Sequence, residues 1–183
     1  MTLPWIVIIF FVGGLLAWYS ERWGAEWPRW VSLIVLVGHM IFLGVLWIVN
    51  TPQLVASGGS PWLIQFHIPW IPQLGISIYF ALDGISLLLI LLSNLLAIMA
   101  VATSWISVKK KIGFFHFNLL WILSALAGIF MALDLFLFYF FWEMLLVPLY
   151  FLIAIWGYAE RRTYAAVKFF IFTQASGLLM LLG

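Results

Sequence analysis

Glu143 sits near the middle of Leu135–Trp156, LFLFYFFWEMLLVPLYFLIAIW, a run long enough to cross a bilayer and otherwise almost wholly apolar. An ionised carboxylate at bilayer centre costs roughly 2.5–3.5 kcal/mol on insertion scales, a cost that leucine would not carry. Five residues on, Pro148 has no N–H to give, so the carbonyl of Met144 loses its helix partner. An acid and a freed carbonyl within about one turn suit a protonatable station facing a protein-lined, partly wet cavity. The plainer reading is a structural acid, protonated or paired with a neighbouring helix.

Other polar residues within apolar runs are few. Lys168 lies about five residues into the last run from its basic edge. It either snorkels to the interface or forms a second station in a proton path. By helix rise Glu143 is roughly 20 Å from that edge and Lys168 roughly 8 Å, so a direct pair is not expected, and water or other side chains would have to bridge them. Thr173, Gln174, Ser176 and Gly177 lie deeper in the same run. Small and polar residues so spaced serve close helix packing or a hydrated lining. Asp134 reads most simply as a turn and cap residue.

The histidines raise the question of a haem. His39 falls mid-run, His116 near a basic edge, and His67 outside the apolar runs. Bis-histidine ligation needs two at one depth, so the spacing argues against a b-type haem and against zinc. There are no cysteines, which excludes disulfides, thiol chemistry and cysteine-held iron–sulfur or zinc. No Gly-rich phosphate loop or catalytic serine motif occurs. No metal or cofactor is assigned to the chain.

The elements that must position these residues follow from composition. Hydrophobic residues make up 67% of the chain, charged residues 8%, and the mean hydropathy is +1.20. This is an all-α integral membrane protein: its apolar runs are long and continuous, unlike the short alternating strands of a barrel. Six spans are predicted, at about 3–19, 30–49, 83–105, 114–132, 135–156 and 163–183, in a single membrane domain 1–183. The first starts at once, with no basic leader region, and reads as a span and not a signal peptide. Asn50 and Pro52 are expected to end the second, and Asp83 or Ser86 to cap the third. A single helix through the fourth and fifth would be roughly 64 Å long, about twice a bilayer core, so a tight turn at Asp134 is expected. Trp18, Tyr19, Trp23, Trp27 and Trp30 form an interfacial aromatic belt.

Residues 51–82 differ from the rest. They hold Pro52, Pro61, Pro69 and Pro72, the Gly58-Gly59 pair, and no Lys or Arg. Ile64, Phe66 and Ile68 alternate with Gln65 and His67; Ile76, Ile78 and Phe80 alternate with Ser77 and Tyr79. The pattern predicts a short hairpin outside the membrane.

Seven of the eight basic residues, Arg22, Arg29, Lys109, Lys110, Lys111, Arg161 and Arg162, lie in the links after spans one, three and five. Those links are expected to face the cytoplasm, and the N-terminus and residues 51–82 the opposite side. The basic residues mark span edges and form no patch, so nucleic acid is not a partner. The sixth span has no polar flank after Leu182, which reads as a chain cut from something longer.

The stretches ALDLFLFYFFWEMLLVPLYFLIAIWG and AAVKFFIFTQASG resemble the antiporter-like membrane subunits of proton-pumping NADH:quinone oxidoreductase, respiratory complex I. PWIPQLGISIYFALDGISLLL and GFFHFNLLWILSALAGIFMALD resemble them too, so the likeness runs through the chain. It implies a proton-translocating subunit in a bacterial inner membrane, with other membrane subunits of the complex and the lipid bilayer as partners. Redox chemistry then takes place elsewhere in the complex. The family's WEM glutamate, a proton-path residue, falls on Glu143, and the lysine of its AAVKFF run on Lys168. The resemblance also implies about fourteen helices in two inverted repeats, with a lysine on a broken helix beyond this chain, so this length alone should not pump. Two other readings stay open: the large subunit of a multisubunit sodium/proton antiporter, and a membrane scaffold whose acid is structural.

Overall fold

A computed structural model describes residues 2–56, 62–158 and 160–182. Six helices carry the fold: α1 (Leu3–Ser20), α2 (Trp27–Ala56), α3 (Gly84–Ser107), α4 (Ile112–Met131), α5 (Leu135–Trp156) and α6 (Arg162–Leu182). Each is long and apolar enough to cross a membrane. Between α2 and α3 stands an antiparallel hairpin of β1 (Ile64–Ile71) and β2 (Ile76–Leu82). The chain is therefore a multi-pass, all-α membrane protein with one small hairpin.

Local chemistry sets most of the element limits. Pro4 occupies the first turn of α1, where its missing N–H costs nothing. The Asp83 side chain caps α3 by accepting from the Ser86 N–H at 2.7 Å. Helix α2 departs from the sequence expectation: it runs past Asn50 and Pro52 to Ala56. One proline removes one hydrogen bond, which a long helix tolerates where its neighbouring turns hold.

The hairpin realises the alternating pattern. Ile64 pairs with Leu82, Phe66 with Phe80 and Ile68 with Ile78, which stacks apolar residues on one face. On the other face the Tyr79 hydroxyl donates to Gln65 Oε1 at 3.1 Å. Strand β1 continues through Pro69 to Ile71, further than the alternation suggests. The register shifts between Pro69 and Ile71, leaving Trp70 as the extra residue of a bulge. Gly75, at φ +69°, makes the turn that a side-chain-bearing residue would resist.

Helix α4 is the hub. It packs against α1 and α5 foremost and also touches α2, α3 and β2. Just over half of its apolar stretch is buried, against 11% for α6. Lipid is as apolar as leucine, so tight packing and inter-helix hydrogen bonds hold such a bundle together. Gly128 of α4 shows the first: a Cβ there would collide with the Phe141 ring of α5. Polar side chains supply the second. Asn94 donates to Leu36 O (3.0 Å), Ser124 to Val7 O (2.9 Å), and His39 Nε2 to Ile6 O (3.2 Å). These tie α3 to α2, α4 to α1, and α2 to α1. Meanwhile Ile34, Ile41, Ile48, Leu88, Leu92 and Leu96 lie exposed, as lipid-facing residues do.

Candidate functional site

Helix α5 starts at the tight turn the sequence predicts, and Asp134 builds it. Its Oδ1 accepts from the N–H groups of Phe136 (2.9 Å) and Leu137 (3.2 Å). Its Oδ2 accepts from the Ser77 N–H (2.9 Å) and hydroxyl (3.2 Å) on β2. Beside it Leu133 N donates to Tyr79 O at 3.0 Å, so the α4–α5 connector joins the hairpin as a third strand for one bridge. Partial burial pushes the Asp134 carboxyl up, but the bonds from Ser77, Leu137 and Phe136 together hold it below the usual carboxylate range. The Asp83 carboxyl is likewise lowered, by its hydrogen bonds from Ser86.

Glu143 lies two and a half turns further along α5. It is half-buried, and its Oε1 is buried with no hydrogen-bond partner. The neighbouring Trp142 Nε1 is in the same condition. Both face Gly177 of α6. A Cβ on that glycine would stand 3.1 Å from Glu143 Oε1 and 3.3 Å from Trp142 Nε1. The missing side chain of Gly177 therefore makes the space in which a carboxyl and an indole N–H lie against the next helix. One turn before Glu143, the Tyr139 hydroxyl is in hydrogen-bonding reach of the same carboxyl. Pro148 interrupts no part of α5, which runs unbroken from Leu135 to Trp156. An acid with an unused buried oxygen, beside a hydroxyl and an indole N–H, is equipped to take and release a proton through water.

Lys168 is not brought to this acid. It is exposed on α6, with its ammonium 5.9 Å from the Tyr164 ring and 5.8 Å from the Phe172 ring. Nine residues separate it from Gly177, which at 3.6 residues per turn is about half a revolution. Helix α6 thus stands between the two side chains. Of its polar run, Gly177 makes the close approach, Thr173 spends its hydroxyl on Phe169 O of its own helix (2.8 Å), and Ser176 is exposed.

Two of the histidines are buried in the bundle. His39 is buried against the Phe10 ring at 3.9 Å, and His116 is buried near the start of α4. Among the described residues no group of three or more His, Asp or Glu gathers as metal ligands would. An apolar cavity of about 290 Å³ opens at the hairpin end between Val7, Phe80 and Phe141. No titratable group is among its lining residues, and Glu143 is not one of them.

Residues 132–183, which span α5 and α6, match the family described as NADH:quinone oxidoreductase/Mrp antiporter, TM. The chain is 50% identical over 187 residues to NADH-quinone oxidoreductase subunit M of Escherichia coli (strain K12), covering 100% of this chain and 37% of that protein. It is 51% identical over 188 residues to the subunit M of Pseudomonas aeruginosa, covering 99% of this chain and 37% of that protein. Across α5 and α6 the chain is similar to that antiporter-like membrane family, and over its whole length to part of subunit M. This antiporter-like chain spans just over a third of the length of those curated relatives.

Solved structures agree. The antiporter-like chain aligns with respiratory complex I from Thermus thermophilus with bound NADH at a TM-score of 0.79 and 26% identity, over 98% of this chain and 34% of that one. It aligns with the Mrp complex from Dietzia sp. DQ12-45-1b at a TM-score of 0.81 and 18% identity, over 100% and 19%. The second likeness shows the fold alone.

Three residues of the antiporter-like chain escape sequence reading. Ser77 and Tyr139 look like ordinary strand and helix residues until their partners are seen. Arg29 reads as part of a polar link, yet it is buried in the first turn of α2. It bonds Glu26 Oε1 (2.9 Å), Trp105 O (3.2 Å) and Val108 O (3.4 Å), and lies over the Trp105 ring. Only its i, i+3 spacing from Glu26 could hint at this in the sequence.

Proposed function

We propose that this chain is part of a proton-translocating membrane subunit of NADH:quinone oxidoreductase, in which Glu143 takes up and passes on the proton. The carrying observation is the Glu143 carboxyl itself: half-buried in mid-span, with one oxygen buried and unpartnered against Gly177. A structural acid in lipid would have its oxygens filled. The identity to subunit M favours this reading over a sodium/proton antiporter; the solved Mrp complex is alike in fold only.

Lys168 acts as a secondary station on the opposite face of α6, where it meets groups outside this chain. Electron transfer belongs on this reading to other subunits of the complex; this chain has no cysteine to hold an iron–sulfur cluster. Its partners are those other membrane subunits and the bilayer of a bacterial inner membrane. The end of the bundle that carries Lys109–Lys111 and Arg161-Arg162 faces the cytoplasm, and the hairpin faces the periplasm.

The test is Glu143→Gln in the assembled complex. Proton pumping should fall to a small residue and coupled NADH oxidation should slow, while assembly is kept. Glu143→Asp should keep part of the activity, because the acid survives on a shorter reach. Normal pumping in the glutamine variant would make the acid structural.

A further inference from the structure

The basic end of the bundle holds a cleft that proton transfer does not use. It lies where α3 and α5 end and α4 and α6 begin, with a volume of about 480 Å³. Lys109, Lys110, Lys111 and Arg162 line one side, and Ile155 and Trp156 the other. Two bonds fix its walls. Trp156 Nε1 donates to Lys110 O at 3.1 Å, tying the α3–α4 connector to the end of α5. Arg162 Nη1 donates to Ile155 O at 3.0 Å.

The charges are arranged against their own interest. Lys111 stands at the start of α4 with φ +50°, a backbone region few non-glycine residues adopt. It supplies no side-chain cap, and a cation at a helix N-terminus opposes the helix dipole. Among the described residues the one ion pair is Arg29–Glu26, so none of the four cations of the cleft is matched by a carboxylate. Glu21, the acid beside the first turn of α4, lies against Gly113 on the α1 side and is not part of the lining. Four converging cations repel one another unless an anion joins them. The cleft also opens where the spans end, at the level of lipid headgroups. A free anion would satisfy the cations and leave the Ile155 and Trp156 wall unused. A lipid satisfies both sides.

We propose that this cleft binds the phosphate headgroup of an anionic phospholipid from the adjacent leaflet, with its acyl chains descending past Ile155 and Trp156. Basic pockets between spans are suited to such headgroups, and each basic residue near an anionic surface is worth about a fivefold change in binding.

The test uses the whole complex in lipid nanodiscs of phosphatidylcholine with phosphatidylglycerol as the minor component. A phosphatidylglycerol probe carrying a photoactivated group near its phosphate is cross-linked, and the labelled peptides are mapped. Residues 107–111 and 154–162 should be labelled by this probe and not by the matching phosphatidylcholine probe. Lys110→Gln should lower labelling about fivefold, and the Lys110→Gln, Arg162→Gln pair further. Lys110→Arg, which keeps the charge, should label as the wild type does. Equal labelling by the two probes, or unchanged labelling in the paired variant, would overturn the proposal. So would displacement of the probe by inorganic phosphate, which would mark a free-anion site. A cross-link from position 110 to another subunit, with no lipid label, would mark a protein interface and overturn it as well.

Discussion

Two carboxylates stand nine residues apart on one helix, Asp134 at the cap of α5 and Glu143 in its middle, and the fold serves them oppositely. Asp134 uses both oxygens on four donors from two elements. Glu143 has a buried oxygen with none, facing a glycine. The fold fills an acid whose task is to hold parts together. It leaves short of donors the acid that, on the proposed reading, takes up and passes on a proton. The acid at the membrane edge could have drawn on water and instead is filled, so the contrast is not one of solvent supply.

The contrast can be broken by activity measured per assembled complex. The largest expected effect is that of Glu143→Gln, which should abolish most pumping without lowering the amount of complex. Asp134→Ala should do the reverse. Losing the cap costs about 1 kcal/mol, and the Ser77 N–H left without its acceptor about 1–3 kcal/mol more. Less complex should then be recovered, and what assembles should pump normally. A matching loss of pumping per complex in both variants would dissolve the distinction.

Acid titration sharpens the same point. The Asp134 carboxyl is lowered in the folded chain, so the folded state binds its proton less readily than the unfolded state. Its stabilisation is fully present above the ordinary aspartate value of about 3.9 and is lost as pH falls through the lowered folded value. Thermal stability of the complex should therefore drop across that acid window, and less steeply in Asp134→Asn.

Lys168→Ala should reduce pumping by less than Glu143→Gln, because α6 separates the lysine from the acid. A loss as large as the glutamine variant's would give Lys168 an equal share in the path. The smallest effect is expected of Gly177→Ala. Its Cβ would stand 3.1 Å from Glu143 Oε1, close enough to push the carboxyl by a few tenths of an ångström. Stability should change little, since the added contact is offset by about 1 kcal/mol of helix propensity. Pumping should fall severalfold. Unchanged pumping would show that the carboxyl does not need its place against α6.

How much of this could be read from the sequence depends on the range of each interaction. The spans are legible because length and hydropathy are local, and α5 has the limits expected of it, Leu135–Trp156. The hairpin is legible from its alternation, and Asp83 and Asp134 from their cap positions. Glu143 announces itself, since one acid in an apolar run has no local excuse. What makes each acid what it is comes from afar. Ser77 lies 57 residues from Asp134, and Gly177 and Glu143 meet only because α5 and α6 pack side by side. Arg29 reaches Trp105 O across 76 residues, which no periodicity reveals. Pro52 misleads, because a helix can run past one proline when nothing forces it to stop.

The central claim is that Glu143 exchanges a proton during turnover and Asp134 does not. Infrared difference spectra of the working complex, recorded in water and in deuterated water, address it directly. A carboxyl band that shifts with the isotope should appear in the wild type, vanish in Glu143→Gln, and persist in Asp134→Asn. A band that survives in Glu143→Gln, or that is lost instead with Asp134, would contradict the account.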